Sequence, residues 1–345
     1  MSFDSEQTFQ TEKRVVRDYQ AALEACTPGT ELDVLMAYCE SAYRWYGVHP
    51  FGEQDRPDAV AEQFWGPLRT ALHALQRRED IFLAGRNAAD GQVWTISMGH
   101  FLGLFDAPWL CIPPTGRIAT VRYAEFQCVV EGRLVAGAMF VDLLGLMAQA
   151  GVYPLAPETG VYFVYPGPRT HDGILLDPQS EAESQETLAL VETMIADLTA
   201  LNSSGTDRQP LAEMARTWDA NMLWYGPCGI GATYTMERYR EQHQIPFRAG
   251  LTDKVFNGHV CRIAEGHYAG FFGWPNLTNT ATGGFLGLPG NDVRADMRVV
   301  DLYRREGDRL AENWVLIDLP YWLKQQGLDV FERMAQLAAP KGSAR

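Results

Sequence analysis

The chain has 345 residues, 46% of them hydrophobic and 21% charged, which are the proportions of folded globular protein at a length that allows two cores. Its 43 acidic against 29 basic side chains leave a formal charge of −14, which repels phosphate backbones and anionic lipid headgroups and argues against nucleic acid as a partner. The polar stretch 1–13 offers no secretory signal, and the longest apolar run, 134–148, is 15 residues with Asp142 inside it, short of the roughly 20 that a membrane span needs.

Taken in chain order, apolar spacing predicts helices over 14–25, 32–43 and 59–75. Strands follow over 81–84, 93–103, 117–130 and 133–141, the last two joined by a Glu131-Gly132 hairpin turn. In the second half, Leu188, Val191, Ile195 and Leu198 share one face of a helix over 186–201, and long strands occupy 294–304 and 309–317. Helices first and strands after point to α+β rather than alternating βαβ. Three helices leaning on a long, curled antiparallel sheet make a cone with an apolar mouth, a natural pocket for a small molecule.

The two halves answer each other. Trp45-Tyr46-Gly47 returns as Trp224-Tyr225-Gly226, and Glu62, Pro67 and Arg69 return as Glu241, Pro246 and Arg248, all 179 residues later. Gly99-His100, Gly103, Phe105 and Pro108 return at an offset of 167 as Gly266-His267, Gly270, Phe272 and Pro275. Arg122, Arg133, Asp142 and Gly151 return at 176 as Arg298, Arg309, Asp318 and Gly327. Such colinearity indicates a tandem duplication, with one unit over 1–165, a polar linker over 166–185 and a second unit over 186–345. The changing offsets mark loops of different length, the second copy gaining an Asn/Thr/Gly-rich stretch over 276–290.

Six cysteines without C-x-x-C or His/Cys ligand spacing are expected to be reduced thiols of a cytoplasmic protein, with no structural metal. No dinucleotide fingerprint, phosphate loop, H-E-x-x-H or nucleophile elbow is present, so nucleotide, zinc and acyl-enzyme chemistry lose support.

His49-Pro50-Phe51-Gly52, Phe64-Trp65-x-Pro67-Leu68-Arg69, Gly99-His100-x-x-Gly103, Pro114-Thr115-Gly116-Arg117 and Asp142-x-x-Gly145-Leu146-x-x-Gln149-x-Gly151 together resemble the SnoaL-like polyketide cyclases of the NTF2-like superfamily. The second copy resembles them in Gly266-His267-x-x-Gly270, Gly307-Asp308-Arg309-Leu310, Glu312-Asn313-Trp314 and Asp318 with Gln326-Gly327. The resemblance implies two tandem cone-shaped α+β barrels, cofactor-free acid/base chemistry on hydrophobic carbonyl or hydroxyl compounds, and a proton-moving aspartate at the positions of Asp142 and Asp318. The chain departs from the family in being fused, and in carrying Ala136-Gly137-Ala138-Met139-Phe140 where the family has a polar E-x-W run.

The candidate catalytic residues are therefore Asp318, His267, Arg298, Asp142 and His100, with Trp314, Glu312, Tyr225, Trp224, Arg122 and Tyr46 as candidate substrate contacts. Strand alternation puts Glu312, Trp314, Leu316 and Asp318 on one face; if it looks into the cone, an aromatic wall would raise the Asp318 pKa and suit a general base. Each aspartate equally suits a helix N-cap. His100 and His267, expected within apolar strands, suit proton relay or a bonded core position, and Glu265 could orient His267. Arg122 and Arg298 would stabilise an enolate if inward and form modest ion pairs if outward. The tryptophan–tyrosine pairs suit core packing at a helix end, and the 276–290 stretch suits either a lid or a solvated loop. The resulting expectation is a cofactor-independent lyase, isomerase or cyclase for a hydrophobic, aromatic small molecule, including retro-aldol loss of formaldehyde from an aromatic diol. The alternative is a noncatalytic binding or scaffold module. The two copies are expected to pack as an intramolecular pseudo-dimer, with further homo-oligomerisation open.

Overall fold

A computed structural model describes residues 6–339. After a two-residue strand β1 (Glu6–Gln7) come α1 (Gln10–Ala25), α2 (Glu31–Tyr38), β2 (Cys39–Gly47) and β3 (Gly52–Gln54). The third helix runs as α3 (Pro57–Val60), a wider π turn (Ala61–Trp65) and α4 (Gly66–Ala71). Then follow β4 (Leu72–Arg86), β5 (Val93–Phe105), β6 (Arg117–Val130), β7 (Arg133–Val141) and α5 (Leu143–Gln149). The strands pair in the order β3-β2-β7-β6-β5-β4.

The second unit repeats this plan. It contains β8 (Gln179–Ser180), α6 (Glu181–Asn202), α7 (Leu211–Met214), β9 (Trp218–Tyr225), β10 (Ala232–Tyr234), α8 (Met236–Tyr239), another π turn (Arg240–Gln244) and α9 (Ile245–Gly250). It ends with β11 (Leu251–Phe256), β12 (Cys261–Glu265), β13 (Tyr268–Ala281), β14 (Arg294–Glu306), β15 (Arg309–Ile317), α10 (Leu319–Gln325) and α11 (Val330–Ala338). Its order is β10-β9-β15-β14-β13-β11, with β12 also on β13. The fold is α+β, two helix-backed curled sheets in tandem. Neither sheet closes into a barrel, and each contains one parallel pair, β2 with β7 and β9 with β15, where an antiparallel sheet was expected.

Several element boundaries differ from the sequence expectation. The second helix stops at Tyr38 instead of 43, because the aromatic run that follows alternates buried Tyr43 and Trp45 with exposed Arg44, a strand pattern. Tyr46 and Trp45 thus sit on a strand rather than at a helix end. The third helix stops at Ala71 instead of 75, and each unit adds short closing helices beyond the expected three. The helix α6 starts at Glu181, inside the stretch read as linker, where the Ser180 hydroxyl accepts the Glu183 N–H at 3.2 Å as an N-cap. The chain before it is strapped to both units by backbone bridges from Val161 to Ala232 and from Ile174 to Phe82. The 276–290 stretch is also not a free loop: β13 reaches Ala281, and the Trp322 indole donates to Asn279 Oδ1 at 3.0 Å.

The recurring Trp-Tyr-Gly has a packing cause. The rings of Trp45 and Trp224 fold back over Gly47 and Gly226, where a Cβ would lie 2.2 and 2.3 Å from ring carbons.

Most buried apolar residues form one core through both units, with Phe9, Ala84 and Val93 as a small separate cluster. Phe272 of β13 is fully buried among Tyr46, Trp94, Phe126 and Phe140 of the first unit, with ring centroids 4.8–6.2 Å away. Burying one such ring contributes about 2 kcal/mol. A buried ion pair, Lys13 to Glu265 at 2.6 Å, crosses the same contact, and Glu265 also accepts the Ala84 N–H at 2.8 Å. All six cysteines are free thiols, and among the described residues no helix is long and apolar enough to cross a membrane.

Candidate active site in the second cone

Along β14 and β15 the side chains alternate, and Met297, Val299, Asp301, Tyr303, Asn313, Val315 and Ile317 point into the second cone. They line a cavity of about 190 Å³, walled by Trp218, Trp224, Phe247, Phe256 and Phe271. For scale, an apolar cavity of roughly 150 Å³ admits benzene.

Asp301 is the acid in this cavity. Its carboxylate accepts Asn313 Nδ2 at 3.2 Å and is hydrogen-bonded by the Tyr303 hydroxyl. These donors are neutral. Desolvation therefore prevails and pushes the carboxyl from 3.8 up to about 6, although the Asn313 and Tyr303 bonds pull the other way. Two imidazoles share the cavity. His243 stacks on Trp224 (centroids 4.1 Å, 22°) and His259 on Phe271 (3.8 Å, 16°), and burial lowers both to about 3. Both are neutral at pH 7, each able to donate one hydrogen bond. Arg262 can only donate and lies 3.3 Å from His259 Nδ1, so that nitrogen is the acceptor and Nε2 carries the proton. The arrangement is a carboxyl raised to about 6 and held by neutral donors, in a cavity that neutral imidazoles and Tyr239 also line.

The first cone carries the same architecture but is filled. Glu125 stands where Asp301 does in the second unit, Tyr123 where Val299 does, Gln127 where Tyr303 does and Arg77 where Phe256 does. Arg77 and Phe256 each follow the matching strand irregularity by one residue. Glu125 is bonded by Arg77 Nη1 at 2.8 Å, Gln20 Nε2 at 3.0 Å and Gln127 Nε2 at 3.0 Å. Tyr123 stacks on Phe101 at 4.3 Å beneath the Arg77 guanidinium. Gly137, in the place of Asn313, leaves room for the Tyr43 hydroxyl, which a Cβ would meet at 2.1 Å. About 10 Å³ remains beside Arg77 and Phe101.

The residues expected from sequence lie mostly elsewhere. Asp318 does not line the cavity. It caps α10 through Tyr321 N–H (3.2 Å) and accepts the His49 N–H of the first unit (2.9 Å), with Arg298 Nη1 at 3.4 Å. Desolvation raises it to about 6, but both oxygens are committed. Asp142 does the reverse: it caps α5 through Gly145 N–H (3.0 Å) and accepts the Cys228 N–H of the second unit (2.8 Å). His49 and Cys228 are themselves equivalent at the 179 offset, so the two aspartates form a reciprocal latch across a pseudo-twofold.

Arg298 lies between the Trp274 and Tyr321 rings, 3.8 and 3.6 Å from their centroids. Arg122 donates to the carbonyls of Tyr225 (3.1 Å) and Gly226 (3.2 Å) under Tyr165. Arg122 thus bonds directly across the contact between units, whereas Arg298 touches residues of its own unit, among them the Asp318 that reaches His49. His267 is on the β12–β13 turn, half-exposed, 3.3 Å from Glu183, and not within a strand as expected; Glu265 pairs with Lys13 rather than orienting it. His100 is buried 3.5 Å from Asp80. Trp314 donates to the Pro166 carbonyl at 3.0 Å, Glu312 pairs with Arg304, and Tyr225 stacks on Trp314. Tyr46 packs against Phe272. Of the expected set, only Trp224 lines the cavity.

The expectation turned Glu312 and Trp314 of β15 toward the cone, whereas Asn313 and Val315 line the cavity; Asp301, Tyr303, His243 and His259, which line it too, were not among the expected residues. One signal was available: Glu125 and Asp301 are acids at matching places inside apolar strands, while their neighbours differ between copies.

No family model matches the chain, and no curated protein matches it. The solved structures to which it is similar include proteins named as SnoaL-like polyketide cyclases, as NTF2-like proteins and as a hydroxylase. A protein from Jannaschia sp. CCS1 named for the SnoaL-like polyketide cyclases is 18% identical, with 42% of this chain and 95% of that chain covered and a TM-score of 0.33. An NTF2-like protein from Burkholderia thailandensis E264 is 22% identical over 40% of this chain and 95% of that one, with a TM-score of 0.31. TsrD from Streptomyces laurentii is 18% identical over 42% and 98%, with a TM-score of 0.34.

Proposed function

We propose that the second cone is the active site of a cofactor-independent acid/base enzyme acting on a hydrophobic small molecule of one or two rings, and that Asp301 is its general base. One observation carries this reading. Asp301 is a carboxylate facing a walled apolar cavity, raised to about 6 by desolvation and held by two neutral donors rather than neutralised by a cation.

Such a base removes a proton from a carbon beside a carbonyl, or from a hydroxyl, and charge then develops on an oxygen. Neutral His243, His259 and the Tyr239 hydroxyl supply donors for that oxygen, where burial strengthens each bond. Isomerisation, aldol-type ring closure and lyase cleavage all pass through this intermediate. Nothing in the cavity singles out retro-aldol loss of formaldehyde among them. Free thiols suit a reducing compartment, so the cytoplasm belongs to the same reading.

The test is turnover against a panel of aromatic ketones, keto-esters and aryl diols, with wild type, Asp301→Asn and Asp318→Asn. Asp301→Asn should lower kcat/KM by about 10²–10⁴, and wild-type kcat/KM should rise with pH through about 6. Asp318→Asn, measured where it remains folded, should retain turnover. Full activity in Asp301→Asn would remove Asp301 as the base, and absence of turnover by wild type across the panel would leave a binding module.

A further inference from the structure

The cone opens where α9 meets β11, beside a polar groove of about 630 Å³ lined by Thr206, Asp207, Thr252 and Arg294 among others. Asn202, Arg248 and Lys254 belong to both the cavity and the groove, so they stand at the mouth. Asp301, Tyr303 and Asn313 line the cavity alone.

The two cations at this mouth have no acidic partner within ion-pair distance among the described residues. Arg248 is 6% exposed; its Nη1 donates to Asn202 Oδ1 at 2.9 Å and its Nη2 to the Leu201 carbonyl at 2.9 Å, while its buried Nε has no acceptor. The Lys254 ammonium donates to the carbonyls of Arg248 and Leu251. Asp207 and Asp253 act on the pair only at longer range. Two cations without a carboxylate in contact, side by side and partly desolvated, repel each other and are costly. In a chain of net charge −14 they are also against the average.

The first unit shows that the fold does not require this arrangement. Arg69, the counterpart of Arg248, is neutralised by Glu31 at 3.0 Å while it donates to the Cys26 carbonyl in the same manner. The counterpart of Lys254 is Leu75; each follows a residue of positive φ, Asp253 at 50° and Ala74 at 53°. The second unit has thus exchanged a carboxylate for the Asn202 amide and an apolar side chain for a lysine, both at the mouth of the one roomy cone.

From this we infer that the ligand of the second cone is an organic anion, a carboxylate-bearing aromatic or alicyclic compound. Its apolar body enters the cavity toward Asp301, and its carboxylate stays at the mouth beside the Arg248 guanidinium and Lys254 Nζ. This rests on the reading of the cone as a substrate site. It adds that specificity is set at the mouth by charge, and that Arg248 and Lys254 orient the substrate while Asp301 meets its reactive end.

The test uses the full chain and a matched pair of probes, 2-naphthoate and methyl 2-naphthoate, followed by quenching of tryptophan fluorescence, since Trp218 and Trp224 line the cavity. Wild type should bind the acid at least tenfold more tightly than the ester, and only the acid should weaken with added salt. Lys254→Leu, which installs the first unit's residue, should lower acid affinity about fivefold or more and leave the ester unchanged. Arg248→Gln should do the same; because Arg248 also ties α9 to the end of α6, its thermal melt is measured alongside, and Lys254→Leu decides if that variant unfolds. Equal binding of acid and ester by wild type, with Trp224→Phe reducing the quench, would overturn the anion inference while keeping the cavity as a binding site. Failure of both probes to bind would overturn the inference together with the substrate-site reading.

Discussion

The two cones have one plan and opposite contents. In the first, a glutamate is clamped by an arginine and two glutamines, and tyrosines occupy the remaining space. In the second, an aspartate at the same strand position meets only neutral donors, and valine and phenylalanine stand where tyrosine and arginine close the first. A buried carboxylate is stable when its charge is compensated and chemically poised when it is not. On this difference rests the proposal that the first cone serves as core and the second as site.

The same chemical change at the twin acids should act in opposite directions. Glu125→Gln leaves the Arg77 guanidinium buried without its counter-charge and should destabilise the protein by about 3–5 kcal/mol in chemical denaturation. A loss below about 1 kcal/mol would mean that the pair is not what holds the first cone shut. The next contrast is steric. Val299→Tyr places in the second cone the side chain that Tyr123 contributes to the first, and should cut affinity for methyl 2-naphthoate at least tenfold while the fold is kept. Undiminished binding would place the ligand outside the cone.

The smallest effect concerns protonation. Asp301 binds its proton up to about pH 6 in the folded chain but only to about 3.8 when unfolded, so the folded state holds more protons between these values. Its contribution to stability is therefore complete below about 4 and is lost as pH rises through about 6. Asp301→Asn removes that loss and should stabilise the protein at pH 7.5 by roughly 1–2 kcal/mol, with little gain at pH 4. Thermal melts at the two pH values check the sign; a destabilised variant at pH 7.5 would show that the carboxylate is compensated after all.

The duplication, the long strands and the segregation of helices from strands were legible in sequence because each rests on local pattern. The candidate site was not, for a specific reason. Hydrophobic alternation gives the phase of a strand only if one of its faces meets water. In β15 every residue from Leu310 to Leu316 is buried, because one face lines the cone and the other packs against the linking chain and the first unit. Asp318 and Asn313 were then equally plausible as inward residues. Presence in both copies has another cause: Asp142, Asp318 and Arg122 bond across the units, and such contacts come in pairs about a pseudo-twofold, while Arg298 sits beside Asp318. His243 was detectable in principle, since Phe64 holds its place in the first unit and the replacement of phenyl by imidazole adds polarity to a core position.

The strap of chain from Val161 to Ile174, bridged to both sheets, has a consequence for what the molecule can become. Two identical subunits about a twofold must share every substitution, so a change that hollows one interior hollows its mate, and the assembly bears the lost packing twice. A covalent tether lifts that constraint. One interior can stay dense and anchor the pair while the other trades packing for reactivity, a division that a single gene copy paired with itself could not encode.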